Sequence, residues 1–318
     1  MSIRQEVEVE KSDFTPRNEI VPGRFNIILE FRAMVPSDSY VFVGGMIKEL
    51  GTWFSTLQMR IDEHVKKLKP IDEESIKKTF SDFIQTSRPT ESTQFLRYGQ
   101  TYAIPGSSLK GAIRSRIEYK LKPFKVGGGY RSYSCYVVQE AFSRPAKNHI
   151  NFWGEDVTYA RATCSPPKVC AVCDLFGCPS LSSRIHFSDA IMTAGQVKYV
   201  SEVRREAALP NSEFKTNVSI FNSDLLDLGL LFLGMEIFTL SPALIGAFKY
   251  RFNKKLGQDK LGNRYFAGLL KFELQSFKPL LGDFPSEITD NFALIDKARD
   301  RLFEKYGNYV DIQRGVLS

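Results

Sequence analysis

The first regular pattern in the chain is an alternation of apolar and polar residues over Arg24–Ala33. Every second position is apolar, at Phe25, Ile27, Leu29, Phe31 and Ala33. A period of two places these side chains on one face of a β-strand. We therefore predict a strand with one buried face over this segment.

The period changes to that of a helix between residues 57 and 86. Ile61, Val65 and Leu68 recur at helical spacing, and Pro70 ends this first pattern. The second pattern opens with Asp72-Glu73-Glu74, acidic residues that complement the positive end of a helix dipole. Its apolar face comprises Ile76, Phe80, Phe83 and Ile84. The sequence therefore predicts a helical insertion of two helices.

A third helix is predicted after a short strand at Thr101–Ile104, and it continues to about Leu121. Its apolar stripe comprises Leu109, Ala112, Ile113 and Ile117. The remaining surface of the helix is basic, with Lys110, Arg114, Arg116 and Lys120. We therefore expect an amphipathic helix whose surface away from the apolar stripe is basic.

The rest of the chain completes an α+β pattern. Residues 1–23 are polar and are interpreted as a loose N-terminal arm, followed by a single domain over residues 24–318. Residues 123–180 show little periodicity but many Gly, Ser, Pro, Tyr and Cys residues, which predicts a functional insertion held together locally. Later strands are predicted at Arg184–Phe187, Val197–Val203, Glu213–Ile220 and Leu269–Phe277. Later helices are predicted at Ser223–Leu233 and Ile288–Tyr306.

The charge balance favours a polyanionic partner. Lys and Arg number 43 against 36 for Asp and Glu, a net charge of +7, and each phosphate that a cation neutralises releases counterions. The chain lacks an apolar run of about 18 residues, so we expect no membrane span. Residues 1–11 lack the apolar core of a signal peptide, so a cytoplasmic location is expected.

The segment around Gly106 has the properties of an anion site. Gly106 permits a close approach of backbone, and Ser107 or Ser108 is suited to cap the helix that begins there. The free amides of the first turn and the positive dipole end attract an anion. Lys110 and Arg114, four residues apart, are expected beside it on one face. The alternative is a well-capped amphipathic helix without a ligand.

Four of the five cysteines lie within fifteen positions, at Cys164, Cys170, Cys173 and Cys178. A Cys-x-x-Cys pair with flanking cysteines is suited to a closed, structural zinc site that holds an insertion without a core of its own. Ordinary reduced thiols or a disulfide are the alternatives. Cys135 is expected to lie outside the site, and a site of three cysteines with His149 is a further option.

Three segments resemble, in order, motifs of the RAMP superfamily, the repeat-associated proteins of CRISPR effector complexes. They are Ile104–Arg114, the Cys-x-x-Cys-x-Leu-Phe-Gly element at Cys170–Gly177, and Ser182–Ala190, which is similar to a strand of type III members. The resemblance covers roughly residues 24–277. It implies a ferredoxin-like (RRM-like) core with large insertions. It also implies a backbone or capping subunit that holds CRISPR RNA without sequence specificity, beside target RNA and other type III effector subunits.

The resemblance extends to two loops. Family members carry a glycine-rich loop before the last core strand, and Leu256–Gly268 is its counterpart, with Lys260 and Arg264 as candidate phosphate ligands. A surface β-turn is the alternative. Arg131 lies among Tyr130, Tyr133 and Tyr136 in the region where related subunits carry a thumb-like hairpin. These side chains are expected either to contact RNA bases or to pack on the core.

The case for catalysis is weaker. In cleaving type III subunits, an Asp works with a metal ion between the first strand and the Ile104 motif, and the matching position here falls near Ser92. Asp38 is the remaining candidate, with Glu91 adjacent to the expected position, and a magnesium cofactor is implied only if the chain cleaves RNA. We therefore do not assign nuclease activity to the chain from its sequence.

Three alternatives remain for the function. They are a metal-dependent endoribonuclease subunit that cuts target RNA, a standalone nuclease that processes precursor RNA, and a zinc-stapled scaffold that binds only protein. His64 and His186 are expected to be structural.

Overall fold

The computed structural model describes residues 7–67, 72–86, 90–135, 164–201, 203, 205–249 and 266–316. Its strands are β1 (Val7–Val9), β2 (Ser12–Asp13), β3 (Phe25–Met34), β4 (Ser39–Tyr40), β5 (Gly44–Glu49), β6 (Thr90–Tyr98), β7 (Thr101–Ile104), β8 (Phe124–Val126), β9 (Gly129–Ser132), β10 (Lys168–Val169), β11 (Ile185–Phe187), β12 (Ala190–Ala194), β13 (Val197–Val200), β14 (Arg205–Ala208), β15 (Glu213–Ser223), β16 (Ala243–Leu244), β17 (Phe266–Ala267) and β18 (Leu269–Gly282). Its helices are α1 (Leu50–Lys67), α2 (Glu73–Thr86), α3 (Gly106–Lys120), α4 (Ala171–Phe176), α5 (Leu225–Gly234) and α6 (Asn291–Tyr306), followed by a 3-10 turn at Gly307–Tyr309.

The main sheet is built around the strand with the alternating pattern. Strand β3 lies between β15 and β18, antiparallel to both. Its residues alternate between buried and half-buried over the full strand, as the sequence predicts. The sheet order is β13-β14-β6-β7-β12-β15-β3-β18-β16, with β11 paired to β15 and β5 to β6.

The centre of the fold is a strand–helix–strand–strand–helix–strand series formed by β3, α3, β12, β15, α5 and β18. Its four strands are neighbours in the order β12-β15-β3-β18, which is consistent with the predicted ferredoxin-like core. Helix α5 packs on β3, where the rings of Phe232 and Phe31 meet edge to face at 6.4 Å. Helices α3 and α5 touch at Gly234, where a Cβ atom would lie 2.7 Å from a side-chain carbon of Ile113. The α+β prediction is confirmed.

The two helices predicted between residues 57 and 86 are present as α1 and α2, joined to the sheet through the β5–β6 pair. The predicted apolar face of α2 is only partly covered. Phe83 is buried and its ring lies 5.2 Å from that of Trp53, whereas Phe80 and Ile84 are exposed. None of the helices in the described ranges is long and apolar enough to cross a membrane.

The described part of the N-terminal arm is bound to the domain, so the expectation of a loose arm is wrong. Strand β1 pairs with β9, and β2 pairs with β10. Beyond these strands, the backbone amide and hydroxyl of Thr15 both donate to Asp174 in α4, at 2.9 and 2.8 Å. Arg17 forms an ion pair with the same carboxylate at 2.8 Å. The arm therefore fixes the insertion that carries the cysteines.

The basic side predicted for α3 is partly wrong. Arg116 and Lys120 are buried, with 2% and 0% of their surface exposed, and both contact the carboxylate of Glu236. The C-terminal residues cover this side of the helix, since Lys120 donates to the carbonyl of Ile312 at 2.5 Å and Arg116 to that of Gly315 at 3.2 Å. Helical periodicity assigns these cations to solvent because it contains no information about a tail far away in sequence.

Candidate functional site

Four buried cysteines converge between α3 and α4, and they form the cysteine group: Cys135, Cys164, Cys170 and Cys173. Their sulfur atoms all lie within 4.8 Å of one another. The Cys135–Cys173 and Cys135–Cys170 sulfur pairs are 3.2 and 3.7 Å apart. Four thiolates about 2.3 Å from a central zinc ion form a tetrahedron with edges of about 3.8 Å. The cysteine group therefore fits a tetrahedral metal ion.

Backbone amides point at the sulfur atoms of the group. The Cys170 amide donates to the Cys164 sulfur at 3.2 Å, and the Cys135 and Cys173 amides donate to the Cys170 sulfur at 3.4 and 3.5 Å. Hydrogen bonds among the four side chains lower the pKa of the Cys164 and Cys170 thiols and raise the pKa of the Cys135 and Cys173 thiols. The amides therefore favour the thiolate form at Cys164 and Cys170, which is the form that binds metal.

The group corrects the predicted ligand set in two respects. Cys135 belongs to it, and Cys178 does not. Helix α4 ends at Phe176, and the next residue, Gly177, turns the chain with a φ of +86°. Cys178 then pairs in a tight turn with Leu181. Cys135 enters from the end of the β8–β9 hairpin, and no spacing rule in the sequence signals that approach. His149 lies outside the described residues.

The start of α3 differs from the predicted serine cap. The cap residue is Pro105, and Ser107 and Ser108 lie inside the first turn without a capping bond. The Gly106 amide donates instead to the Asp189 carboxylate at 2.7 Å, which lowers the pKa of Asp189. The second carboxylate oxygen accepts from the Tyr98 hydroxyl. A carboxylate of the chain itself thus occupies part of the predicted anion site.

Gly106 is required by a close contact. A Cβ atom at this position would lie 2.2 Å from the backbone oxygen of Phe187. The start of α3 therefore lies directly against the β11–β12 connection, and the expectation of a close backbone approach at Gly106 is confirmed. The approaching backbone is that of the protein itself.

The two cations expected side by side on α3 have different environments. Arg114 donates to the Glu118 carboxylate at 2.8 Å, to the Gly177 carbonyl at 2.7 Å and to the Cys173 sulfur at 3.3 Å. Lys110 has no ion pair within the part of the chain that the structure describes. Burial and the charge of Arg114 lower the pKa of Lys110. Only Lys110 remains available beside the helix start.

Asp38 lies in an exposed turn after β3. Its backbone carbonyl accepts from the Phe266 amide at 2.7 Å, where β17 pairs with β4. Phe266, which directly follows residues 250–265 in sequence, thus lies beside Asp38. The candidates Lys260 and Arg264 belong to that segment and lie outside the described residues. Ser92, the position at which a catalytic Asp was expected, is inside β6 and pairs with β5.

Tyr133, which follows strand β9, packs on the core, and this favours the second of the two expectations for the thumb-like region. The Tyr133 ring lies 4.7 Å from that of Tyr306 and 5.4 Å from that of Phe124. Arg131 is exposed and donates to the Glu8 carboxylate at 2.9 Å. Tyr136 lies outside the described residues.

Helix α4 is fixed by a buried charge network that the sequence did not reveal. Arg184 donates to the Asp174 carboxylate at 2.7 Å and to that of Asp227 at 2.7 and 2.9 Å. Asp174 occupies the position between the second Cys and the Leu of the Cys-x-x-Cys-x-Leu-Phe-Gly element, and Arg184 follows in the next motif. The Arg184–Asp174 ion pair therefore connects the two motifs in space, in addition to their order along the chain.

Comparison with known proteins provides a family assignment. A search of curated proteins finds no match. The family model described as the RAMP superfamily matches residues 39–299, which is most of the chain and includes all three motif segments. The chain belongs to the RAMP superfamily.

Proposed function

We propose that this chain is a CRISPR RNA-binding subunit, in a backbone or capping position, of a type III effector complex. RAMP membership supports a CRISPR-associated role in RNA binding. The observation that carries the proposal is the start of α3, where Lys110 lacks an ion pair among the described residues and Ser107 is exposed in the first turn. In this proposal the charge of Lys110 and the hydroxyl of Ser107 recognise the sugar-phosphate chain, and neither group reads the base sequence.

The distribution of charge supports the same proposal. Residues 251–265 contain five basic residues, Arg251, Lys254, Lys255, Lys260 and Arg264, against the single acid Asp259. This basic segment therefore carries +4 of the net charge of +7. Such a concentration of cations on one segment favours contact with phosphates.

The proposal is tested with the purified full-length chain and three fluorescent single-stranded RNAs of unrelated sequence, over a series of salt concentrations. We expect similar affinities for all three RNAs and a linear fall of log K with log salt. Lys110→Ala is expected to reduce the slope by about 0.7, the value for one phosphate of a single strand. Lys297→Ala, on the exposed face of α6, is the matched control.

Two results contradict parts of this proposal. An unchanged slope for Lys110→Ala would remove the start of α3 from the RNA site. A failure of the wild-type chain to bind any of the RNAs at low salt would favour the alternative of a zinc-stapled scaffold that contacts only protein.

The cysteine group is proposed to hold a structural zinc ion. Support comes from the sulfur distances, the burial of all four side chains and the amides that point at the sulfur atoms. Four thiolates close the coordination sphere, so zinc would supply rigidity to residues that join α3, α4 and the β8–β9 hairpin. Native mass spectrometry with elemental analysis tests this, and one zinc per chain is expected.

A metal-dependent endoribonuclease is the second candidate function. The observation in its favour is the exposed Asp38, whose carbonyl accepts from the amide of Phe266, the second residue after the basic Arg264 in sequence. The assembled complex is incubated with complementary RNA and magnesium, and wild type is compared with Asp38→Asn and Glu91→Gln. Loss of regular cleavage in either variant would establish a catalytic role, whereas absence of cleavage by wild type supports binding alone.

A further inference from the structure

Arg114 in helix α3 makes three separate hydrogen bonds, one of which reaches the cysteine group. One guanidinium nitrogen contacts the Cys173 sulfur at 3.3 Å, a second contacts the Gly177 carbonyl at 2.7 Å, and the third contacts Glu118 at 2.8 Å. Gly177 follows the last residue of α4, so Arg114 contacts both a thiol of α4 and the loop that follows this helix. Only about a quarter of the Arg114 side chain is exposed, at 27%.

A divalent ion with four thiolates carries a net charge of −2, and this charge is unfavourable in a buried site unless cations or donors lie close by. Arg114 brings a positive charge into direct contact with one of the four sulfur atoms. Donors to a ligand atom also orient it and adjust its electron density. Both effects act on the metal, and neither requires RNA.

We propose that Arg114 is a positioning residue of the metal centre, where its guanidinium stabilises the Cys173 thiolate and locks the end of α4 in place. The inference rests on the proposed metal site. It gives the two cations of the α3 motif different tasks, because Lys110 faces the proposed RNA site and Arg114 faces the metal.

Arginine suits this position better than lysine. A planar guanidinium donates in several fixed directions and stays charged, whereas an ammonium is a single point that reaches fewer acceptors at once. Lys at position 114 keeps the charge but loses some of the three contacts. Gln keeps two donors but loses the charge.

The test uses cobalt(II) as a probe in place of zinc in the full-length chain. Tetrahedral cobalt with thiolate ligands gives intense charge-transfer absorption, whose energy reports electron density on sulfur. Wild type, Arg114→Lys, Arg114→Gln and Arg114→Ala are titrated with cobalt and then with a competing chelator. The matched control is Lys110→Ala, one helical turn away.

We expect affinity for cobalt to fall by about ten- to a hundredfold in Arg114→Ala, the usual effect of removing a group that supports a ligand. Arg114→Gln should fall nearly as far and Arg114→Lys less, and the charge-transfer band should shift in all three. A residue that only fixes the loop would leave the band in place. Lys110→Ala should retain the wild-type cobalt spectrum and the wild-type affinity for cobalt. The same variant should lose part of the salt dependence of RNA binding.

The outcomes separate the inference from the proposals on which it depends. Absence of cobalt bands in wild type would overturn the metal site and the role of Arg114 together. Wild-type bands and affinity in the folded Gln or Lys variants would overturn the role of Arg114 alone. A fall in RNA affinity for Arg114→Gln with unchanged cobalt binding would return Arg114 to the RNA site.

Discussion

Replacing Glu236 by Gln is expected to destabilise the protein severely. The Glu236 side chain is 1% exposed and is the carboxylate that both Arg116 and Lys120 contact. The Lys120 ammonium lies 2.9 Å from one of its oxygens and 3.0 Å from the other. Gln occupies the same volume and tolerates the same positive φ of +62° about as well as Glu. The substitution therefore removes a charge without opening a cavity.

The magnitude follows from the two cations that remain. Removing one partner of a buried ion pair typically costs about 3 to 5 kcal/mol, because the other charge stays buried without compensation. Here two cations share one acid, so we expect a loss in the upper part of that range. A loss of this size is a large fraction of the roughly 5 to 15 kcal/mol that stabilises a typical folded protein.

Urea unfolding, followed by circular dichroism, measures this loss. The control is Glu304→Gln, which breaks the exposed Arg301–Glu304 pair at 2.6 Å and should cost about 1 kcal/mol or less. The double variant Glu236→Gln/Lys120→Met removes one uncompensated cation and should regain more than about 1 kcal/mol relative to additivity. The reasoning would be refuted if Glu236→Gln and Glu304→Gln lowered the free energy of unfolding by equal amounts. It would also be refuted if the effects of Glu236→Gln and Lys120→Met were additive in the double variant.

Three further predictions concern single side chains. Cys135→Ser should abolish or strongly weaken zinc binding, measured by elemental analysis after dialysis, whereas Cys178→Ser should leave it unchanged; the reverse result would restore the ligand set predicted from spacing. Asp189→Asn removes a carboxylate from the start of α3 and should tighten RNA binding by about two- to fivefold, the size of a helix-terminus charge effect, as measured by anisotropy. Burial lowers the pKa of Lys120 to about 8, so between about pH 8 and 10.4 the unfolded chain binds more protons than the folded one. The free energy of unfolding should therefore rise with pH across this window, and the rise should be absent in Lys120→Met.

Patterns local in sequence predicted local structure well. The alternation at Phe25 to Ala33 gave β3 because each buried position contacts the core directly. The apolar stripe of α3 was confirmed for the same reason, since Leu109, Ile113 and Ile117 are fully buried. In both cases the apolar positions in the sequence are the positions that are buried in the structure.

Contacts between distant parts of the chain account for the errors. Cys135 joins the cysteine group through a hairpin, and Asp189 reaches the start of α3 from a strand connection. The burial of Lys120 depends on Ile312. Periodicity reports which side of a helix is apolar, and it cannot report which distant segment covers the polar side.

The α3 motif illustrates how such contacts decide function. Lys110 and Arg114 are one turn apart, and spacing alone makes them equivalent. The carbonyl of Gly177 and the sulfur of Cys173, each about 60 residues away along the chain, distinguish them by taking up the guanidinium of Arg114. Because α3 and α4 belong to successive motifs of one family, this contact implies that the order of the motifs reflects a physical connection. A closed metal site would hold α4 rigid, Arg114 would transmit that rigidity to α3, and Lys110 would then meet the phosphate chain from a fixed position.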